Sequence, residues 1–242
     1  MNSLGVLKKI VSAAALAGLL AGLLLTGVQE WQVSPIILKA EVYEDAAAMA
    51  TASSQNSHSH SATETEHQDH HEHSAETWQP ANGWERTLFT ALANISLAVG
   101  LGLLVGAVIC LRGESSGWRS GLLWGVSGYL VFFVAPSLGL PPEVPGTKAA
   151  PLVDRQIWWL ITVLATATAL SLLIFAKTWK IKILGAILLS VPHLMGAPQP
   201  QIQASAAPAE LAHAFIYATA TANAAFWLAL GGLMGFFYKK PS

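Results

Sequence analysis

Six apolar runs, almost free of charge, dominate the chain: residues 10–28, 88–111, 118–138, 157–176, 181–195 and 211–238. An α-helix rises about 1.5 Å per residue and a bilayer core is about 30 Å thick, so a run near twenty residues spans that core as a helix. Only helices and closed barrels satisfy every backbone polar group in lipid. Composition agrees, since 53% of residues are hydrophobic and 11% charged, which a soluble chain of 242 residues rarely shows. The expected fold class is all-α: a polytopic transmembrane helix bundle of about six helices, with five as the alternative.

The first run follows Lys8 and Lys9, as a signal peptide would. It is nineteen residues long, beyond the roughly 7–15 of a signal core, and no A-x-A site follows at once. An uncleaved helix is the expectation. The fifth run decides between five and six crossings. Its fifteen residues reach only about 22 Å, although Trp179 and the snorkelling Lys180 and Lys182 extend it.

Charge favours six. With six crossings, Lys8, Lys9, Arg112, Arg119, Lys177, Lys180, Lys182, Lys239 and Lys240 share one side, nine of the thirteen basic residues. Thirteen of the fourteen acidic residues lie on the other side, giving +8 against −9. The positive-inside rule then makes residues 1–9 and 239–242 cytoplasmic and places three connecting loops, 29–87, 139–156 and 196–210, outside. Four pairs, Gly18/Gly22, Gly102/Gly106, Gly121/Gly125 and Gly231/Gly235, set small residues one helical turn apart, a pattern for close helix packing.

The first outer segment carries HSHSATETEHQDHHEH, residues 58–73. There His58, His60, His67, His70, His71 and His73 alternate with four acidic residues. Neutral imidazole is the commonest transition-metal ligand. Nothing apolar lies in the run to fold upon, so a disordered tract of weak, exchanging metal sites is expected, a capture loop rather than one tight centre. Acidification through about 6.5, the ordinary histidine range, should weaken capture.

The other two histidines lie at helix ends. His193 and Met195 sit in SVPHLMGAPQP, where Pro192 disrupts the helix and frees backbone carbonyls. His213 shares a helical face with Glu210, Tyr217 and Thr221, so Glu210 and His213 form a plausible ligand pair. His193, His213, Glu210 and Met195 are the first metal candidates, and Glu41, Glu44 and Asp154 the weaker ones. Asn94 and Asn223 are expected to hydrogen-bond between helices, Asp154 and Arg155 to form an interfacial ion pair, and Cys110 to be an apolar filler. No GxxxxGK[ST] phosphate loop and no nucleophile–base arrangement occurs, so neither an ATPase nor another enzyme is expected.

KAEVYE, GWERTLFT, GLLWGVSGYLVFFVAPSLGLPPEVPG, RQIWWL, VPHLMGAPQP and PAELAHAFIYATATANAAFWL together closely resemble the CbtA family, the proposed cobalt transporter subunit of bacteria. The likeness runs in order from the first helix to the last and leaves out the His-rich insert. It implies a multi-pass inner-membrane protein taking up Co²⁺ in support of cobalamin synthesis, paired with a small single-helix CbtB-like subunit in the lipid bilayer. Glu41, Glu44, Trp84, Glu85, Arg86, Asp154, Arg155, His193 and His213 match the family's motifs. No permanently bound cofactor and no nucleic-acid partner is expected. Cobalt enters through the resemblance alone, because these ligand types serve Ni²⁺ and Zn²⁺ equally well. A metal-binding accessory or sensor that hands ions to a separate permease is the alternative reading.

Overall fold

A computed structural model describes residues 3–56, 80–113 and 117–239. Among the described residues the regular elements are helices: α1 (Ser3–Val28), α2 (Ser34–Asn56), α3 (Trp84–Arg112), α4 (Trp118–Tyr129), α5 (Ala135–Ser137), α6 (Leu152–Phe175), α7 (Trp179–Met195) and α8 (Ala209–Lys239). Two π-helical turns, Gln29–Val33 and Leu130–Val134, join α1 to α2 and α4 to α5. Five of the resulting helices are long and apolar enough to cross a membrane: Ser3–Thr51, Trp84–Arg112, Trp118–Ser137, Leu152–Phe175 and Ala209–Lys239. At seventeen residues, α7 is the short one.

Both π turns have the same cause. Each ends one residue before a helix-initial Ser34-Pro35 or Ala135-Pro136 pair. A proline ring clashes with the carbonyl four residues back, here Trp31 or Phe132, and offers it no N–H. Widening the helix by one residue relieves that clash. The Ser34 N–H reaches the Gln29 carbonyl and the Ala135 N–H the Leu130 carbonyl, so the helix carries on past each proline.

This continuity corrects one expectation. The polar segment after residue 28, expected as a connecting loop, is helical to Asn56. Its alanines, Ala46, Ala47, Ala48, Ala50 and Ala52, carry the highest helix propensity, and no glycine or proline interrupts them. Polarity predicts a loop here, and helix propensity wins. The His-rich run 58–73 lies outside the described residues.

Glycines set the packing. On α1, a Cβ at Gly18 would stand 2.7 Å from the Val99 backbone, and one at Gly22 2.6 Å from Ile95 Cα. On α4, a Cβ at Gly121 would lie 2.2 Å from the Gly231 carbonyl oxygen, and one at Gly125 2.3 Å from that of Trp227. The small-residue pairs therefore join α1 to α3 and α4 to α8, each antiparallel. Helix α8 also packs along α1 and buries Phe226, Leu230 and Met234 at the centre. α6 and α7 form a third antiparallel pair.

The six long runs alternate in direction, so the two ends of the bundle differ in chemistry. At one end Lys9 Nζ sits 5.1 Å from the Tyr238 ring centroid and the Arg112 guanidinium 3.8 Å from that of Phe175. Arg119 lies over Trp118 there. The other end gathers α2, the start of α3, loop 138–151, the end of α7, segment 196–208 and the start of α8.

Candidate functional site at the polar end of the bundle

Two loops clasp at this end. Thr147 and Ser205 form an antiparallel bridge, the Lys148 N–H donates to the Ala204 carbonyl at 2.9 Å, and the Ala206 N–H to the Gly146 carbonyl at 3.1 Å. Gly146 needs its φ of +76°, and a Cβ there would stand 3.2 Å from Glu44 Cβ and 3.1 Å from Ala206 Cβ. Val144, Ala150 and Ala207 bury beneath the clasp. Glu44 of α2 thus stands against the clasp.

His193 is held from α6. The indole N–H of Trp158 donates to the Pro192 carbonyl at 3.3 Å, and its ring meets His193 edge-on at 6.1 Å between centroids. Gly139 makes room for that indole, since a Cβ there would lie 2.4 Å from it. Gly196, at φ +80°, ends α7 and leaves Met195 and Leu194 on the surface. His193 is half-buried.

The α8 candidates face outward. Glu210, His213, Tyr217 and Thr221 do share one face, and all four are exposed. The opposite face, with Phe215, Ala222, Phe226 and Leu230, takes the burial because it is far more apolar. Glu210 and Leu211 line a cleft of about 590 Å³ with Pro208 and with Lys39, Val42 and Tyr43 of α2. Asp154 is exposed in the first turn of α6. Its neighbour Arg155 pairs with Glu143 at 3.2 Å, so the expected Asp154–Arg155 ion pair is replaced by one that ties loop 138–151 to α6. Adjacent residues on a helix point about 100° apart, which favours the loop partner.

A polar seam runs down from this end between α1–α2 and α3. Arg86 Nη2 donates to Glu41 at 2.8 Å, and Arg86 Nη1 reaches Asn82 at 2.8 Å. Thr87 Oγ1 donates to Glu30 at 3.0 Å. Deeper, Asn94 Nδ2 donates to Gln29 at 2.6 Å and to Thr26 Oγ1 at 3.1 Å. Asn94 thus bridges helices as expected. Asn223 does not: its Nδ2 donates to the Thr219 carbonyl of its own helix at 2.9 Å. Gln29, Glu30 and Thr87 are not among the residues that the sequence singles out. The signal was a Gln-Glu pair at the end of an apolar run, just ahead of Pro35.

Among the described residues, no three His, Cys, Asp or Glu side chains stand close enough together to hold a metal ion. His193 lies against α6, His213 on the open face of α8, and Glu41 is already partnered by Arg86. His58, His60, His67, His70, His71 and His73 lie outside the described residues. What this end offers is a rim of separate donors around a clasped pair of loops.

A family model described as a probable cobalt transporter subunit (CbtA) matches residues 7–239, nearly the whole chain. No curated protein and no solved structure matches.

Proposed function

Because the chain belongs to the CbtA family of probable cobalt transporter subunits, and so is a multi-pass membrane protein, we propose that its polar end is an outer mouth for divalent cobalt. The His-rich segment 58–73 gathers the ion, and the rim formed by His193, His213, Glu210 and Met195 receives it. Glu41, Glu44 and Asp154 add negative potential, which raises the local cation concentration. The single observation carrying this reading is the meeting, at one end, of α2, both clasped loops, His193 and the first turn of α8.

Orientation follows from charge. The basic end, with Lys9, Arg112 and Arg119, belongs on the cytoplasmic side of a bacterial inner membrane, and the polar end outside. α7 then returns to the outer side as a sixth, short crossing. With separate donors, an ion arriving at the rim keeps much of its water shell and exchanges readily. That property suits passage better than storage. A small single-helix partner subunit completes the transporter.

The test is uptake of labelled cobalt into vesicles holding the chain alone, then with that partner. Deleting residues 58–73 should raise the half-saturating concentration and leave maximal flux intact. His193→Ala combined with His213→Ala should abolish flux. Wild-type vesicles that bind cobalt at their surface yet never accumulate it, with or without the partner, would assign the chain to an accessory or sensing role instead.

A further inference from the structure

Four buried residues of α6, Trp158, Thr162, Thr166 and Ala169, recur at helical spacing and form one face. Both ends of that face meet α7. Trp158 donates to the Pro192 carbonyl, and the Ala169 carbonyl lies 3.1 Å from where a Cβ of Gly185 would stand. Thr162 and Thr166 lie on the same buried side of α6, at heights between those two points. Thr162 Oγ1 donates to the Trp158 carbonyl at 2.9 Å. Thr166 differs. It is 2% exposed, and its hydroxyl is buried without a hydrogen-bond partner.

The facing helix has a matching gap. Pro192 carries no N–H, so the carbonyl of Leu188, four residues back, has lost its α-helical donor. The helix keeps α geometry here and is not widened, as it is before Pro35 and Pro136. Leu188 is half-buried on the face that bears Gly185 and Pro192. An unpartnered hydroxyl on α6 and a carbonyl deprived of its α-helical donor on α7 thus lie on neighbouring helices, inward of His193. Irregular polar backbone at membrane depth is tolerated where protein or a wet cavity covers it.

We propose that the α6–α7 seam inward of His193 is a wetted step, in which water bridges Thr166 Oγ1 and the Leu188 carbonyl and passes a hydrated divalent cation inward. The second half of this proposal rests on the conducting role assigned above; the first half does not. The seam offers neutral oxygens only. Such donors can stand in for part of an ion's hydration shell and hold it weakly enough to release it, which conduction requires.

Two measurements on the full chain in membrane vesicles test it. In a Cys110→Ala background, Thr166→Cys and Leu164→Cys are exposed to a small water-borne cationic thiosulfonate. Leu164 lies on the outer face of α6, 59% exposed. A wet seam makes position 166 react at least tenfold faster than position 164; equal, slow rates mean a dry seam and overturn the proposal. Cobalt uptake is then compared between Thr166→Val, which keeps shape and removes the hydroxyl, and Thr166→Ser, which keeps the hydroxyl. Valine should lower maximal flux several-fold at equal protein level, with serine near wild type. Equal flux in both variants takes the cation off this route. Labelling needs no transport, so failure of the uptake reading and failure of the wet seam are read separately.

Discussion

The glycine-joined pairs and the α6–α7 pair solve the same problem, two antiparallel helices in one apolar medium, by different means. α1 meets α3 and α4 meets α8 at glycines, backbone against backbone, and the prolines beside those pairs are absorbed by π turns. α6 meets α7 at Trp158, beside an unrelieved proline, and at Gly185, where a Cβ would still stand 3.1 Å from the Ala169 carbonyl. Close backbone approach leaves no space for water or for a polar mismatch. The looser pair can keep both, and His193 stands at its end.

The contrast can be broken by substitution. Gly121→Ala should cost the most, about 3 kcal/mol or outright failure to accumulate, because its Cβ would lie 2.2 Å from a carbonyl oxygen that cannot move independently. Yield and denaturant titration in micelles measure it. Asn94→Leu should cost about 1.5 kcal/mol, since it strands Gln29 and Thr26 between helices. Trp158→Phe keeps an aromatic ring against His193 and removes one N–H donor, a loss of about 1 kcal/mol by the same titration. Gly185→Ala should be mildest, at about 0.5 kcal/mol, because its Cβ would come no closer than 3.1 Å to the Ala169 carbonyl and Leu172, so its neighbours need give only slightly. If Gly185→Ala proved as damaging as Gly121→Ala, the distinction between a tight and a looser pair would fall.

Much of the bundle was legible in the chain, because apolar length and small-residue spacing act through local rules. The runs, the glycine pairs and the Asn94 bridge followed from hydropathy and helical periodicity. Legibility stopped at positions where two local signals conflict. Residues 34–56 read as polar loop, yet alanine content makes a helix. Arg155 reads as the partner of Asp154, yet Glu143, twelve residues before it, is brought to it by the shape of its loop. The outward face of Glu210 and His213 was visible as periodicity, but which face turns inward depended on the apolar bulk opposite.

The chain by itself determined that this is a membrane bundle of the CbtA kind, with donors concentrated near certain helix ends, since burial in lipid admits few alternatives. Only tertiary structure decided which donors meet: Glu41 with Arg86, Trp158 with Pro192, and Thr166 left without a partner. The reason is physical. Hydropathy is a property of each segment, whereas satisfying a buried polar atom depends on what a second, distant segment presents to it.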